Sequence, residues 1–173
     1  MNGYDKAKLM KVAVMCYLRY KRRYKIIATE AGYFSADVLA MNDKELLEVE
    51  IKISKSDFKN DFKKSKHLIY NNDEAAFSEI EKSFIPNRMY YAVPCELVEW
   101  AKEQLTTHPQ YGLISVDLEH HLIKSSPECT VNKVKLPKKF HKSLPSDKVR
   151  ASIIARNSSE LCTLYKKMIN AND

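Results

Sequence analysis

Asp37, Glu50 and Lys52 are residues whose types and spacing fit one chemistry. Two carboxylates can hold a hard divalent cation through oxygen, with waters and a substrate phosphate completing an octahedron, which suits Mg²⁺ or Mn²⁺. Such a cation acts as a Lewis acid and lowers the pKa of a bound water. A lysine beside them can orient the attacking water or neutralise charge that develops on a phosphorane-like transition state. The chemistry is metal-dependent hydrolysis of a phosphodiester. An Asp, twelve residues, then Glu-x-Lys also arises as a surface ion pair, so the elements that carry the three residues decide between the two.

Residues 46–53 read as a strand, because Leu47, Val49, Ile51 and Ile53 alternate with Glu48, Glu50 and Lys52. Side chains alternate faces along a strand, so the charged set is presented together while the apolar set packs. Residues 34–41 read as the preceding strand, joined by a turn at Asn42-Asp43-Lys44. A hairpin of the two would bring Asp37 and Glu50 across from one another near one end. Residues 26–30 form a first short strand, with Gly32 at the turn. An amphipathic helix is predicted over 5–22, with Leu9, Val12, Ala13, Cys16, Tyr17 and Tyr20 on one face.

Beyond Ile53, Ser54 or Ser56 is placed to cap a helix running to about Tyr70. Phe58, Phe62 and Ile69 lie on its buried side, with Lys55, Lys59, Lys63 and Lys66 on its surface. Residues 71–87 read as a mobile insertion holding a short helix over 75–82. A nearly continuous apolar run over 88–93 suits a central buried strand. A helix over 95–105, a strand over 111–116, short strands at 122–123 and 130–134, a basic loop over 135–145 and a helix over 146–169 complete the chain. That last helix carries an apolar stripe of Ile153, Ile154, Leu161, Leu164, Tyr165 and Met168. The order implies a mixed central sheet with helices on both sides, an α/β (α+β) fold. At 173 residues it reads as a single domain over 1–173: a basic helix 5–22, a core 26–116, and a basic loop and helix 133–170.

The formal net charge is +7 and unevenly spread. Residues 1–25 hold eight Lys/Arg against one Asp, 52–67 six Lys against two Asp, and 133–150 seven Lys/Arg against one Asp. Three basic blocks around an acidic middle suggest a polyanionic partner. Any single block is equally a solvated face. With only three glycines, a Gly-rich phosphate loop is not expected. The four cysteines have no Cys-x-x-Cys pair, which argues against zinc and fits reduced thiols. No run approaches the ~20 apolar residues of a membrane span, and residues 1–11 lack the apolar core of a secretory signal. A cytoplasmic setting is expected, in a bacterial or phage-infected cell. His120 and His121 are adjacent, so on a strand they face opposite ways and cannot chelate together. Tyr33 and Phe34 could stack on an unpaired base, although packing in the core is the default.

Ser35-Ala36-Asp37-Val38-Leu39-Ala40, followed by Glu48 to Lys52 and then Ser54-Lys55-Ser56-Asp57-Phe58-Lys59-Asn60-Asp61-Phe62, resembles the core of the PD-(D/E)XK nuclease superfamily. Within it the match is to MmcB-like DNA-repair proteins and their phage-type relatives. Lys63-Lys64-Ser65-Lys66-His67 looks like the basic helix of the phage-type members. Asn87 to Pro94 and Tyr111 to Ile114 look like their fourth and fifth strands. The resemblance covers roughly residues 26–141. It implies a restriction-endonuclease-like fold, with Asp37 and Glu50 as metal ligands, the Ile51 carbonyl as a further ligand and Lys52 as the catalytic lysine. The superfamily usually adds a glutamate from the first helix. Here that helix offers only Asp5, at its far end, so Glu30 is the candidate in its place, against a solvent-exposed strand carboxylate. Lys55, Lys63, Lys66, His67, Arg22 and Arg23 are candidate nucleic-acid contacts. Asp57 and Asp61 read as structural, through capping and charge contacts on the helix surface.

The expectation is a divalent-metal-dependent DNA endonuclease of repair, phage or mobile-element biology, with a homodimer possible. The alternative is a catalytically inactive nucleic-acid-binding module on the same scaffold. A purely structural or protein-binding domain would leave the basic blocks without a role.

Overall fold

The computed structural model describes residues 3–71, 78–118 and 130–170. Its elements are α1 (Gly3–Cys16), β1 (Ile26–Ala31), β2 (Ala36–Met41), β3 (Leu46–Ile51), α2 (Lys55–Asp61), α3 (Lys66–Asn71), α4 (Glu79–Lys82), β4 (Arg88–Pro94), α5 (Val98–Gln104), β5 (Gly112–Val116), β6 (Val131–Lys135) and α6 (Asp147–Asn170). The six strands form one sheet in the order β1-β2-β3-β4-β5-β6. The first three are an antiparallel meander, β3, β4 and β5 run parallel, and β6 returns antiparallel. The mixed sheet flanked by helices is the fold class expected from the alternating pattern and the buried run over 88–93.

Apolar residues of alternate parity fill the two faces. On one, Met10, Ala13, Val14 and Leu18 pack over Val38, Ala40, Val49, Ile51, Ala92 and Ile114. On the other, Phe58, Tyr70, Ala101 and Leu105 cover Met89, Tyr91, Val93 and Leu113. Because both faces of β4 are covered, its sequence is apolar at successive positions. Asn87 locks the start of β3 beside it: its N–H donates to the Leu46 carbonyl at 2.7 Å, and its Oδ1 accepts from the Leu46 N–H at 2.7 Å.

Several boundaries differ from expectation. α1 ends at Cys16 and continues as a π-helical turn over Tyr17–Lys21. Residues 34 and 35 are not strand: Gly32 at φ +82° and Ser35 at φ +52° make the turn, and β2 starts at Ala36. A Cβ on Gly32 would also lie 2.9 Å from Leu39 Cδ2, so this corner needs glycine on two counts. The helix expected over 54–70 is two helices. Ser54 caps the first, its Oγ accepting from the Asp57 N–H at 3.2 Å. In α6 only Val149 and Ile153 are buried, against Ala28, Leu39, Met41 and Leu46. Leu161, Leu164, Tyr165 and Met168, further along the same apolar stripe, stand more than half exposed. Part of the helix expected over 75–82, the strand at 122–123, His120, His121 and Cys129 lie outside the described residues. Among the described residues, Cys16, Cys95 and Cys162 form no disulfide. No helix among them is long and apolar enough to cross a membrane.

Candidate functional site

The β2–β3 register pairs Val38 with Val49, so the next step along the ladder sets Asp37 abreast of Glu50. Asp37 Oδ2 accepts the Ile51 N–H at 2.8 Å, which fixes its carboxylate against the end of β3. The pairs Thr29–Val38 and Ala31–Ala36 bracket Glu30 and bring it alongside Asp37 on the other flank. Glu30 has φ +47°, a left-handed conformation uncommon for a residue with a Cβ. Its carboxylate pairs with Lys11 of α1, whose Nζ is also 3.8 Å from Asp37 Oδ1. The structure thus gathers Asp37, Glu50 and Glu30 at one end of the sheet. It adds Lys11, which the sequence did not single out.

Beneath them lies a buried charged network. Lys52 Nζ is 2.8 Å from Glu50 Oε2 and 2.8 Å from Asp61 Oδ1. Lys66 Nζ is 2.7 Å from Glu48 Oε1 and 2.8 Å from Glu50 Oε1. Tyr70 donates its hydroxyl to Glu48, and Tyr91 donates to Asp61 Oδ2 at 2.9 Å. His67 bridges Asp61 Oδ2 at 3.1 Å and the Tyr111 hydroxyl at 2.7 Å through its two ring nitrogens. Buried charges are costly unless paired and hydrogen-bonded; Glu48, Glu50 and Asp61 Oδ2 have hydrogen-bond donors, while Asp61 Oδ1 is held by the ammoniums of Lys52 and Lys64 as ion pairs.

Three expectations are corrected here. Lys66 and His67, expected as phosphate contacts on a helix surface, are 2% and 4% exposed and point at the sheet. Asp61, expected on the surface, is 1% exposed and is the hub of the network. The break between α2 and α3 is the physical reason. Five residues apart on an unbroken helix, Asp61 and Lys66 would stand about 140° apart; the turn over residues 62–65 lets both face β3. A signal was present: Phe58, Asp61 and Phe62 share i, i+3, i+4 spacing, as do Lys66, Ile69 and Tyr70, so each charged residue stands in an apolar stripe.

The remaining candidates scatter. Lys63 is exposed, and Lys55 is exposed with its Nζ 5.6 Å from the Trp100 ring centre. Arg22 and Arg23 are exposed beside Tyr24, whose hydroxyl donates to Glu45 at the start of β3. That is the opposite end of the strand from Glu50, so these arginines are not part of the site. Asp57 is exposed in the first turn of α2.

Burial tends to raise the Glu50 pKa, but Lys66 and Lys52 more than offset it, and Glu50 is held below the usual carboxylate range. Burial raises Glu48 more than Lys66 lowers it, and the nearby Glu50 adds to the rise, to about 6. The two carboxylates share Lys66 and titrate as a coupled pair, burial favouring the proton on Glu48 and the lysines favouring charge on Glu50. Lys52, despite burial, is held above the usual lysine range by Glu50 and Asp61. It is a fixed ammonium, suited to stabilising negative charge and not to accepting a proton. Burial and then Glu50 raise Asp37, against the Ile51 N–H that lowers it.

A pH dependence follows from Glu48. A carboxylate whose folded pKa is raised from 4.5 to about 6 contributes stability below 4.5 that is lost as pH rises through 6. Urea unfolding followed between pH 4 and 7 is expected to show this fall, and Glu48→Gln is expected to flatten it. An identical profile in the variant would assign the fall to another group.

Among the described residues no group of three or more His, Cys, Asp or Glu side chains is disposed to hold a metal ion. Asp37 and Glu50 with a carbonyl oxygen are a smaller donor set. Oxygen donors of that kind and number are what Mg²⁺ takes, with waters and substrate phosphate completing its shell; here the Glu50 oxygens are shared with Lys52, Lys64 and Lys66.

No family model and no curated protein matches this chain. The fold has a solved counterpart. It is similar to the SPO1766 protein of unknown function from Silicibacter pomeroyi, with a TM-score of 0.55 and 17% identity over 94% of this chain and 89% of that chain. At that identity the likeness concerns the fold alone.

Proposed function

We propose that the chain is a divalent-metal-dependent DNA endonuclease of the PD-(D/E)XK type, in repair, phage or mobile-element biology. The observation that carries the reading is Asp37 set abreast of Glu50 at one end of the sheet, with the Lys52 ammonium fixed on Glu50. A carboxylate with a raised pKa beside a second carboxylate is a place where added positive charge is favoured.

Asp37, Glu50 and the Ile51 carbonyl would hold Mg²⁺ or Mn²⁺, with Glu30 reaching it from β1 once Lys11 lets go. The ion would supply charge that polarises a phosphoryl oxygen and acidifies a nearby water. Lys52, permanently charged and unable to swing away from Glu50 and Asp61, orients the attacking water and offsets negative charge as the phosphodiester reacts. Asp61, with His67 and Tyr91 behind it, fixes where that ammonium sits. Exposed Lys55 and Lys63 supply phosphate contacts.

A catalytically inactive nucleic-acid-binding module is the second reading. One observation favours it: both Glu50 oxygens are already held by lysines, Oε1 by Lys66 and Oε2 by Lys52 and Lys64. Incubation with labelled linear, circular, single-stranded and branched DNA, with Mg²⁺ or Mn²⁺ and with chelator, separates the two. The nuclease reading expects cleavage that chelator stops. The inactive module expects binding without cleavage under every condition. Both expect log affinity to fall with log salt by about 0.9 per phosphate neutralised. An affinity indifferent to salt would remove the nucleic-acid partner.

A further inference from the structure

Lys52 and Lys64 grip the same two oxygens. Lys52 Nζ is 2.8 Å from both Glu50 Oε2 and Asp61 Oδ1. Lys64 Nζ is 3.3 Å and 2.6 Å from those same atoms. They differ in access, the Lys52 side chain being 4% exposed and that of Lys64 51%.

The charge balance explains why two are present. Glu48, Glu50 and Asp61 are buried acids, and Lys52 and Lys66 are the buried ammoniums among them. A third positive charge reaches this group from solvent, and it is Lys64. The turn between α2 and α3 sets it there. The Lys64 N–H donates to the Asp61 carbonyl at 2.9 Å, and its own carbonyl accepts from the His67 N–H at 3.2 Å. The turn thus directs Lys64 outward between Asp61 and Lys66, which both point in. A buried ammonium with two charged partners is immobile, because leaving would strand charge in the interior. A half-exposed one on a flexible stem exchanges its partner for water or another anion at little cost.

We propose that Lys64 is the exchangeable counter-ion of this site and its phosphate-binding residue. It holds Glu50 and Asp61 in the free protein, and turns to a backbone phosphate of the nucleic acid when a divalent cation takes over the charge of Glu50. The inference rests on the metal-dependent reading above. No covalent bond changes and the ammonium keeps its proton; its N–H donors pass from carboxylate oxygens to phosphate oxygens. Lys64 and the cation compete for the same negative charge, so cation binding and phosphate binding are coupled through this one side chain.

The test compares wild type with Lys64→Met, Lys64→Gln and Lys64→Arg. Mn²⁺ uptake is measured without DNA, by the paramagnetic resonance of free Mn²⁺. Affinity for a labelled duplex is then measured by fluorescence anisotropy in chelator and in Mn²⁺, before product accumulates. Both neutral variants are expected to bind Mn²⁺ about two- to five-fold more tightly than wild type, since a half-exposed competitor has gone. They are expected to lose the gain in duplex affinity that Mn²⁺ gives the wild type, and Lys64→Arg to keep it. Equal Mn²⁺ affinity in wild type and both neutral variants, or a gain that survives in them, overturns the role of Lys64 alone. A wild type that takes up no Mn²⁺ overturns the metal-dependent reading and this proposal with it.

Discussion

Asp37→Asn is expected to lower DNA cleavage by about 10²–10³-fold, the scale of losing one preorganised electrostatic group, while leaving the fold as stable as wild type or slightly more so. The two halves of this expectation have separate causes. The amide oxygen can still accept the Ile51 N–H that Asp37 Oδ2 now accepts at 2.8 Å, so the end of β3 keeps its hydrogen bond. The charge that disappears is unfavourable in the folded state, since burial and Glu50 both raise the Asp37 pKa. Among the described residues the nearest ammonium to Asp37 is that of Lys11, at 3.8 Å, and the Asp37 side chain is 28% exposed, so no buried partner is stranded. Glu50→Ala and Lys52→Ala lack this clean separation: both residues are buried in the ion network, and a loss of activity there would be mixed with a loss of stability. Cleavage by Asp37→Asn within a few-fold of wild type, at matched Mg²⁺, would remove Asp37 from the chemistry.

What could be read from sequence follows from what local pattern encodes. Period-two alternation over 46–53 placed Glu48, Glu50 and Lys52 on one face, and the turn at Asn42 set the register that brings Asp37 beside Glu50; both depend on residues within one hairpin. The continuous apolar run at Met89 to Val93 announced a strand covered on both faces. The buried network was not legible in the same way. Lysine and aspartate in a helix are ordinarily solvated, and their burial requires partners on other elements: Asp61 needs Lys52 on the chain after β3 and Tyr91 on β4, and Lys66 needs Glu48 and Glu50. The two sides of each pair sit on different elements, and periodicity within one element does not reveal its partner on another. The positions of Asp61 and Lys66 within apolar stripes were the local trace of it. In α6 the opposite holds: Leu161, Leu164 and Met168 have helical spacing, yet among the described residues they stand more than half exposed. Periodicity shows that a face is apolar; it does not supply what covers it.

Lys66→Met is expected to destabilise the protein by about 3–5 kcal/mol at neutral pH, the cost of breaking a buried ion pair by removing one partner. The methionine fills much of the lysine's volume, so a cavity contributes little and the effect is electrostatic. Lys66 is the ammonium that touches both Glu48 and Glu50, at 2.7 and 2.8 Å. Without it, two neighbouring carboxylates remain in the interior, with Lys52 and Lys64 on the far oxygen of Glu50 and the Tyr70 hydroxyl on Glu48. Glu48, already raised to about 6 by burial, then has no ammonium to lower it, and its folded pKa rises further. Because a carboxylate with a raised folded pKa contributes stability only at pH below it, the variant should recover stability as pH falls from 7 toward 5. Adding Glu48→Gln to Lys66→Met removes one stranded charge and should restore a large part of the loss at pH 7. Urea unfolding of both variants at pH 5 and pH 7 measures these effects. A single-variant loss below about 1 kcal/mol, the range of solvent-exposed pairs, would mean that water reaches Glu48 and Glu50 and that the charged layer under Asp37 is not sealed from solvent.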